Sequence, residues 1–382
     1  MPLILHILPY DLARGAQRYA RALVDSLGDD DDTHQVLTLF RSEPVLLNPD
    51  VKLDVPQGTF RRIGLDPRVV SRLRREIRRL RPEIVVAHGG ESAKYAALST
   101  PRGIPMVYLK IGTAHQALSR RANKGLHGFY TRRADVIAAV SSDVADEAHA
   151  LYDVPRSRLV VLPNARDPET FRPRDHDSGA TIRPHRVGSS RQNEEKAPRL
   201  IFVGHLDSGK RPDWFIDIVQ GLRERGREFT AAMVGDGPLE EALRGRAVAE
   251  GIDMLGRRDD VPDLLADSDI FVFTSLPPGE GMPGVLIEAG LTGLPIVSTR
   301  VPGARDVIED GLTGLLVDID DKQGMIDAVD GLVLDGRLRR SMGDRARERC
   351  LERFTLEASA EQWRGLFRRL TPAFKGRSQT GA

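Results

Sequence analysis

Residues 269–300 read DIFVFTSLPPGEGMPGVLIEAGLTGLPIVSTR. The apolar run 270–273 has the length of a buried strand, the Pro- and Gly-rich stretch after it turns the chain, and a short helical pattern leads to a second apolar run at 294–299. Strand, turn, helix and strand in that order form the repeating unit of a parallel sheet. Pro283 suits the beginning of the helix and Gly293 its end.

The same alternation extends outward in both directions. LILHIL, HQVLTLF, EIVVAH, IPMVYLK, DVIAAVS and RLVVLPN lead the first half, and RLIFVG, FTAAMVG, DIFVFTS, LPIVSTR and GLLVD lead the second. Between the halves, residues 172–198 lack apolar periodicity and are rich in charge, Pro, Gly and Ser, as an exposed linker or mobile loop requires. A chain of 382 residues exceeds what one core usually organises. The pattern predicts two α/β domains, 1–171 and 199–354, and a cleft between them, with 355–382 as a terminal helix and tail.

Composition narrows the class. Apolar residues make up 40% of the chain and charged residues 29%, which is the balance of a folded globular protein. Cys350 is the single cysteine, so neither a disulfide framework nor a thiolate metal cluster is expected. The opening MPLILHILPYDLARG has no basic leader and no later segment is apolar for the roughly 20 residues that span a bilayer, so a cytoplasmic protein is expected. Charge is unevenly spread: Arg61 to Arg133 holds 17 Lys and Arg against 4 Asp and Glu. Within it, DPRVVSRLRREIRRLRPE puts Val69, Leu73, Ile77 and Leu80 on one helical face and Arg68, Arg72, Arg75 and Arg79 largely on the other. One reading is a solvated surface helix. The other is attraction to an anionic acceptor or to the inner face of an anionic membrane. Nucleic acid is disfavoured, because aromatics are 5% of the chain and no recognised binding motif is present.

The candidate chemistry sits where ligands gather in open parallel sheets, beyond the carboxyl ends of strands. Glu280 lies in the loop after the strand and Glu288 about one turn into the helix. Each carboxylate can accept two hydrogen bonds, which suits vicinal hydroxyls, and amides at the helix start suit an anion. Taken in isolation, the plainer reading is favoured: Glu288 complements the helix dipole and Glu280 is a loop charge. No close-spaced His, Cys and Asp cluster supports a catalytic triad or a metal site.

The isolation ends with EGMPGVLIEAGLTGLPIVSTRVPGARDVIEDGLTGLLV, which resembles the Glu-x7-Glu signature of family 4 glycosyltransferases. ILHILPYDLARGAQRYARALVDSL resembles the family's first strand, glycine loop and helix, and VSSDVADEAHALYDVPRSRLVVLPNARDPETFRP its approach to the second domain. IFVGHLDSGKRPDWFIDI, MVGDGPLEEALRG and LGRRDDVPDLLADSDIFVFTS follow in the family's order. The resemblance implies the α/β fold called GT-B, two Rossmann-like doubly wound domains facing a central cleft, with the terminal helix crossing back to the first. It also implies retaining transfer of a sugar from a nucleotide-diphosphate sugar to a hydroxyl acceptor, with no cofactor and no metal. In the implied mechanism the departing phosphate takes the acceptor proton.

By the same resemblance Glu288 takes the nucleotide ribose and Glu280 the hydroxyls of the donor sugar. The amides of Gly281, Met282, Gly284 and Val285, with Pro283 between them, would lie near sugar and diphosphate. Lys210 matches a diphosphate-binding lysine, and Arg257 falls among the substrate-binding positions. Gly15 and Ala16 match the glycine loop, although Gly15 is equally a simple turn. Two departures stand out. His205 occupies the place of an arginine and serves there only when protonated, and Ile111 stands where many members have a strand-end histidine. Either His115 takes over that role or it is an ordinary loop residue. His88, after the strand EIVVA, is placed toward the cleft as an acceptor contact. Two rival readings survive: a nucleotide-sugar epimerase, and a binding protein that has lost transfer.

Overall fold

Strands that are apolar on both faces need cover on both, and parallel sheets supply it by returning the chain through helices. The computed structural model describes residues 2–11, 15–28, 32–42, 48–56, 64–113, 121–174, 197–277 and 280–370. Two units emerge, the first made of Met1–Arg166, Pro278–Gly284 and Arg353–Ala382, the second of Asp167–Pro277 and Val285–Glu352.

In the first unit, seven strands form one parallel sheet: β1 (Leu3–Tyr10), β2 (Thr33–Phe40), β3 (Val51–Val55), β4 (Ile84–His88), β5 (Met106–Lys110), β6 (Val136–Ala139) and β7 (Leu159–Val161). Their order is β3-β2-β1-β4-β5-β6-β7, so the chain reverses its direction of travel between β1 and β4. Connecting helices are α1 (Gly15–Leu27), α2 (Pro67–Leu80), α3 (Gly89–Ser99), α4 (Arg121–Arg133) and α5 (Ser142–Tyr152). α2 starts where Asp66 accepts a hydrogen bond from the Arg68 amide and Pro67 presets the first turn. Val69, Leu73 and Ile77, one turn apart, are buried in the core with Leu5, Val85 and Tyr95, while Arg68, Arg72, Arg75 and Arg79 are exposed. The amphipathic reading of that helix is therefore the one the fold adopts.

The second unit carries β8 (Arg199–Val203), β9 (Thr230–Val234), β10 (Ile252–Gly256), β11 (Ile270–Phe273), β12 (Ile296–Thr299) and β13 (Gly314–Val317), all parallel and ordered β10-β9-β8-β11-β12-β13. Its helices are α6 (Pro212–Glu224), α7 (Glu240–Ala249), α8 (Val261–Ala266), α9 (Gly284–Leu291), α10 (Ala304–Val307), α11 (Lys322–Leu334) and α12 (Gly336–Arg353). The quoted stretch is thus β11-α9-β12, and Gly293 follows the helix with φ +81°, where a side chain would be strained. The switch in strand order falls between β8 and β11, so the loops that leave those two strands flank the crevice of this unit.

Two strands, β3 and β10, are absent from the sequence reading. Both are edge strands, and Lys52, Asp54 and Asp253 interrupt their apolar residues, because one side of an edge strand faces water. A second difference concerns Pro278–Gly284, counted with the C-terminal domain by sequence but grouped with the first unit by contact. Most of the polar stretch 172–198 and the tail beyond 370 lie outside the described residues.

The last helix, α13 (Leu356–Leu370), belongs to the first unit and packs on α1. Fully buried Trp363 donates its indole N–H to the Tyr19 hydroxyl at 3.3 Å, and that hydroxyl also meets the Ser359 hydroxyl at 2.8 Å. Trp363→Ala is expected to cost the first unit about 3–5 kcal/mol by cavity formation and loss of this bond. Urea unfolding followed by circular dichroism should show it, while fluorescence of Trp214, the other of the two tryptophans and a residue of the second unit, reports a transition that stays in place.

Candidate active site

At the switch point of the second unit, the loop after β8 runs from Gly204 to Arg211 and is bound main chain to main chain to its neighbours. The Gly204 amide donates to Val234 at 3.0 Å, the Leu206 amide to Asp236 at 2.8 Å, and the Leu239 amide back to Leu206 at 2.9 Å. Gly235, at φ +135°, passes so close that a Cβ would lie 1.9 Å from the Gly204 carbonyl oxygen. Glycine is required there by both conformation and space. This packing brings exposed His205 to Asp236, with Nδ1 3.6 Å from Oδ1, a separation too long for a good hydrogen bond but short enough for an ion pair when the imidazole is protonated.

Further along, the Asp207 carboxylate accepts from the amides of Gly209 at 2.9 Å and Lys210 at 3.0 Å, which rounds the turn that presents Lys210. The Lys210 ammonium stands 5.5 Å from the centre of the Phe273 ring. Arg211, at φ +46°, turns inward: its guanidinium donates to the carbonyls of Thr274 at 3.0 Å and Ile319 at 2.6 Å and stacks on Trp214 at 3.7 Å. Thr274, just past β11, points its hydroxyl at the carbonyls of Lys210 and Arg211, 2.8 and 2.9 Å away. The Leu276 amide completes the lock by donating to Gly209 at 2.7 Å. Loops from the two strands at the switch point are therefore one hydrogen-bonded body. Sequence reading did not single out Arg211, Thr274 or Asp236. Arg211 follows Lys210 immediately, and its neighbour Pro212 at the start of α6 was the available sign of a fixed turn.

Glu288 is half-buried on α9, which is seated on α12 where Gly290 faces Cys350 and Gly343 faces Gly293, both too close for a Cβ. Arg257 is exposed at the end of β10, directly after Gly256 at φ +63°.

Within the first unit, Glu280–Gly284 rests on the loops after β5 and β7. The Glu280 carbonyl accepts from the Thr113 amide at 3.4 Å and hydroxyl at 3.3 Å, and the Met282 carbonyl accepts from Asn164 at 2.9 Å. A Cβ on Gly281 would sit 2.0 Å from the Ile111 carbonyl oxygen, and one on Gly284 1.8 Å from the Arg166 guanidinium. The small residues of this loop are thus fixed by contact with unit-one backbone and side chain, a reason the sequence reading did not supply. Glu280 is 8% exposed and Met282 is buried. Gly15 and Ala16 open α1 after β1, and His115 lies outside the described residues.

Comparison with known proteins bears on this geometry. Residues 13–170 match the family model described as Glycosyltransferase Family 4, and residues 197–335 the model described as Glycosyl transferases group 1, most of the chain between them. N-acetyl-alpha-D-glucosaminyl L-malate synthase of Bacillus anthracis is 31% identical over 63% of this chain and 61% of its own length, so the matched stretch spans less than two thirds of that relative. Alpha-D-kanosaminyltransferase of Streptomyces kanamyceticus is 24% identical over 92% of this chain and 98% of its own. Among solved structures, Anabaena HepE in complex with UDP superimposes with a TM-score of 0.77 at 17% identity, covering 96% of this chain and 99% of that one, which shows a shared GT-B fold.

One candidate needs correction. His88 does end β4, but its side chain is 2% exposed and bonded through Nε2 to Nδ1 of His6 at 3.0 Å, and His6 in turn meets His34 at 3.1 Å. The Phe367 ring lies beside His6 and His34. β4 lies between β1 and β5 and is buried along its whole length, so His88 sits in the interior of the first unit and has no surface to offer an acceptor. Burial pulls the His88 imidazole down to about 4 and holds His6 well below its ordinary value, with the neighbouring imidazoles adding to the effect at His6. A lowered histidine pKa means that the unfolded chain binds protons the folded chain refuses, so this stability is complete above about pH 6.5 and is lost as pH falls toward 4. Each such histidine contributes a slope of at most about 1.4 kcal/mol per pH unit. Urea unfolding free energies measured between about pH 7 and 4.5 should show a shallower decline in His88→Gln than in the unaltered chain. Equal slopes would mean that His88 is protonated alike in both states.

Proposed function

This chain belongs to glycosyltransferase family 4, and we propose that it moves a sugar from a nucleotide-diphosphate sugar to a hydroxyl acceptor, with retention of anomeric configuration and without a metal ion. The observation that carries the reading is the locked pair of loops at the β8/β11 switch point, which sets Lys210 and His205 at the same end of the sheet at which the chain leaves β11 on its way to α9 and Glu288. The Lys210 ammonium and the His205 imidazolium meet the diphosphate and stabilise the charge that builds on it as the bond to the sugar breaks. Glu288 accepts hydrogen bonds from the ribose hydroxyls, and Glu280 from hydroxyls of the donor sugar. On the face the phosphate leaves, the acceptor oxygen forms the new bond to the anomeric carbon and its proton passes to the departing phosphate oxygen. No protein base is required, and among the described residues no three His, Cys, Asp or Glu side chains are arranged to hold a metal ion.

The roles of the two glutamates separate in binding and transfer. Glu288→Ala should weaken both nucleoside diphosphate binding and transfer, whereas Glu280→Ala should cut transfer strongly and leave nucleoside diphosphate binding nearly intact. Each loss corresponds to about 1.5–3 kcal/mol, roughly ten- to more than hundredfold. Calorimetry with UDP and GDP, and mass spectrometry of a sugar-nucleotide panel with and without acceptors, make the test. Equal nucleotide affinity in Glu288→Ala would remove the ribose assignment. Altered donor without acceptor would indicate an epimerase, and ligand stabilisation without turnover a binding protein.

The acceptor is anionic or presented at an anionic membrane surface. Arg74, Arg75 and Arg78 line a groove of about 640 Å³ along α2 whose other lining residues are Leu65, Pro67, Val70, Ser71 and Leu98. Beyond the end of α3, Arg102, Arg132 and Arg133 line a second recess together with Phe129, which is 43% exposed, and Asp135, whose carboxylate lies 3.8 Å from the Arg133 guanidinium. Cations around exposed apolar carbon suit a negatively charged surface with an apolar interior. The relative named for L-malate supports an anionic acceptor as well. No described helix is long and apolar enough to cross a membrane, so the contact proposed is peripheral, at the inner face. Arg72 and Arg79 lie outside the groove lining and are engaged by the Leu53 carbonyl and by Glu76. Arg74, Arg75 and Arg78 line it, Arg74 while also donating to the Leu98 carbonyl, which makes these three the better probes. Reversing these three to Glu is expected to abolish sedimentation with anionic phosphatidylglycerol vesicles at low salt, an attraction that salt screens over a Debye length of about 10 Å at 0.1 M. Unchanged sedimentation and acceptor use would return the helix to the role of a solvated face.

A further inference from the structure

Lys110 ends β5 with its side chain 3% exposed. Its ammonium is ion-paired with Glu147 of α5, itself nearly buried, and donates to the Gly112 carbonyl at 2.8 Å. Withdrawing an ammonium from water is costly unless partners offset it, so its partners should reveal what the position requires. Here one partner balances charge and the other is a carbonyl in a turn. That turn, Ile111–Thr113, is the one on which the Glu280 loop rests: Thr113 donates twice to the Glu280 carbonyl, and the Ile111 carbonyl lies where a Gly281 side chain would be.

We propose that Lys110 is a positioning residue for Glu280: tied to Glu147, it pins the Gly112 carbonyl and so shapes the turn that seats the Glu280–Gly281 main chain. The functional half of this inference rests on the assignment of Glu280 to the donor sugar. Lys110 is too deeply buried to touch substrate, so its effect on transfer must pass through the loop. Burial lowers its proton affinity and the Glu147 carboxylate opposes that effect, which makes the pair a unit that should be altered together. An apolar residue in its place would leave the Gly112 carbonyl without its donor, and the turn would relax toward water.

Hydrogen exchange tests the positioning without reference to activity. In Lys110→Met/Glu147→Leu, which removes both charges, amides of the peptide containing Glu280–Leu286 are expected to exchange about tenfold faster or more, while those of β4 and β5 keep their protection. Thr113→Val, which removes only a hydroxyl from the turn, should accelerate the same peptide to a smaller extent and provides a second reading if the double variant does not fold. Loop exchange unchanged in a folded variant overturns the proposal. With the sugar nucleotide selected by the donor panel, kcat should fall about 10–100-fold in the double variant while UDP or GDP affinity stays within about twofold. Added to Glu280→Ala, the same change should cost less than about threefold more, because the carboxylate it positions is gone. Fully multiplicative losses would mean that Lys110 acts elsewhere. If the unaltered chain transfers no sugar, the assignment of function fails, and hydrogen exchange alone decides the role of Lys110.

Discussion

A glycine Cα laid against a passing carbonyl leaves no volume for a Cβ, and three such passages hold the loops that carry the candidate residues. Gly235 crosses Gly204, Gly237 crosses Leu206, and Gly281 crosses Ile111, with added Cβ atoms at 1.9, 2.6 and 2.0 Å from carbonyl oxygens. Main-chain contact of this kind fixes position more firmly than side-chain packing, because backbone has no rotamers through which to yield. The first two passages bind the loops after β8 and β9 into one body, and the third ties the Glu280 loop to the turn after β5. Everything attributed to His205, Lys210 and Glu280 depends on these contacts.

Buried cations reinforce them. Arg211 spans from the loop after β8 to the carbonyls of Thr274 and Ile319, and Lys110 reaches the Gly112 carbonyl. Carbonyls at the ends of strands lose their ladder partners just where loops begin, and in a packed interior they need a donor from elsewhere. A charged donor forms a stronger bond than a neutral one, and its desolvation is offset in part by Glu147 beside Lys110 and, more weakly, by exposed Asp320 near Arg211. The two units thus use the same device, a nearly buried cation set beneath a loop at the carboxyl end of a parallel sheet.

Not all of the basic charge between Arg61 and Arg133 is free to serve a partner. Arg68 pairs with Asp66 at the start of α2, Arg74 donates to the Leu98 carbonyl at the end of α3, and Arg133 to the Thr100 carbonyl just beyond it. The last two bonds satisfy carbonyls at and just beyond the C-terminus of a helix, where they are left without helical partners and the helix dipole favours positive charge. A guanidinium has five donors, so one used for a carbonyl still presents charge to the surroundings. Structural and recognition roles therefore coexist on this surface.

The sequence by itself determined the two α/β units, the strand-helix-strand setting of Glu280 and Glu288, the amphipathic α2 and the motif order that identifies the family. These features are local, set by apolar period, glycine and proline placement and spacing along the chain. Edge strands β3 and β10 escaped because half-exposed strands carry charge in their apolar pattern. His88 could be placed at a strand end but not on a face of its strand, since His6, His34 and Phe367 come from distant segments. The same limit applies to the roles of Gly281, Lys110, Arg211 and Thr274. Only the tertiary structure decided them, because which carbonyl a glycine must clear, and which turn a buried cation must hold, depends on residues that meet only when the chain has folded.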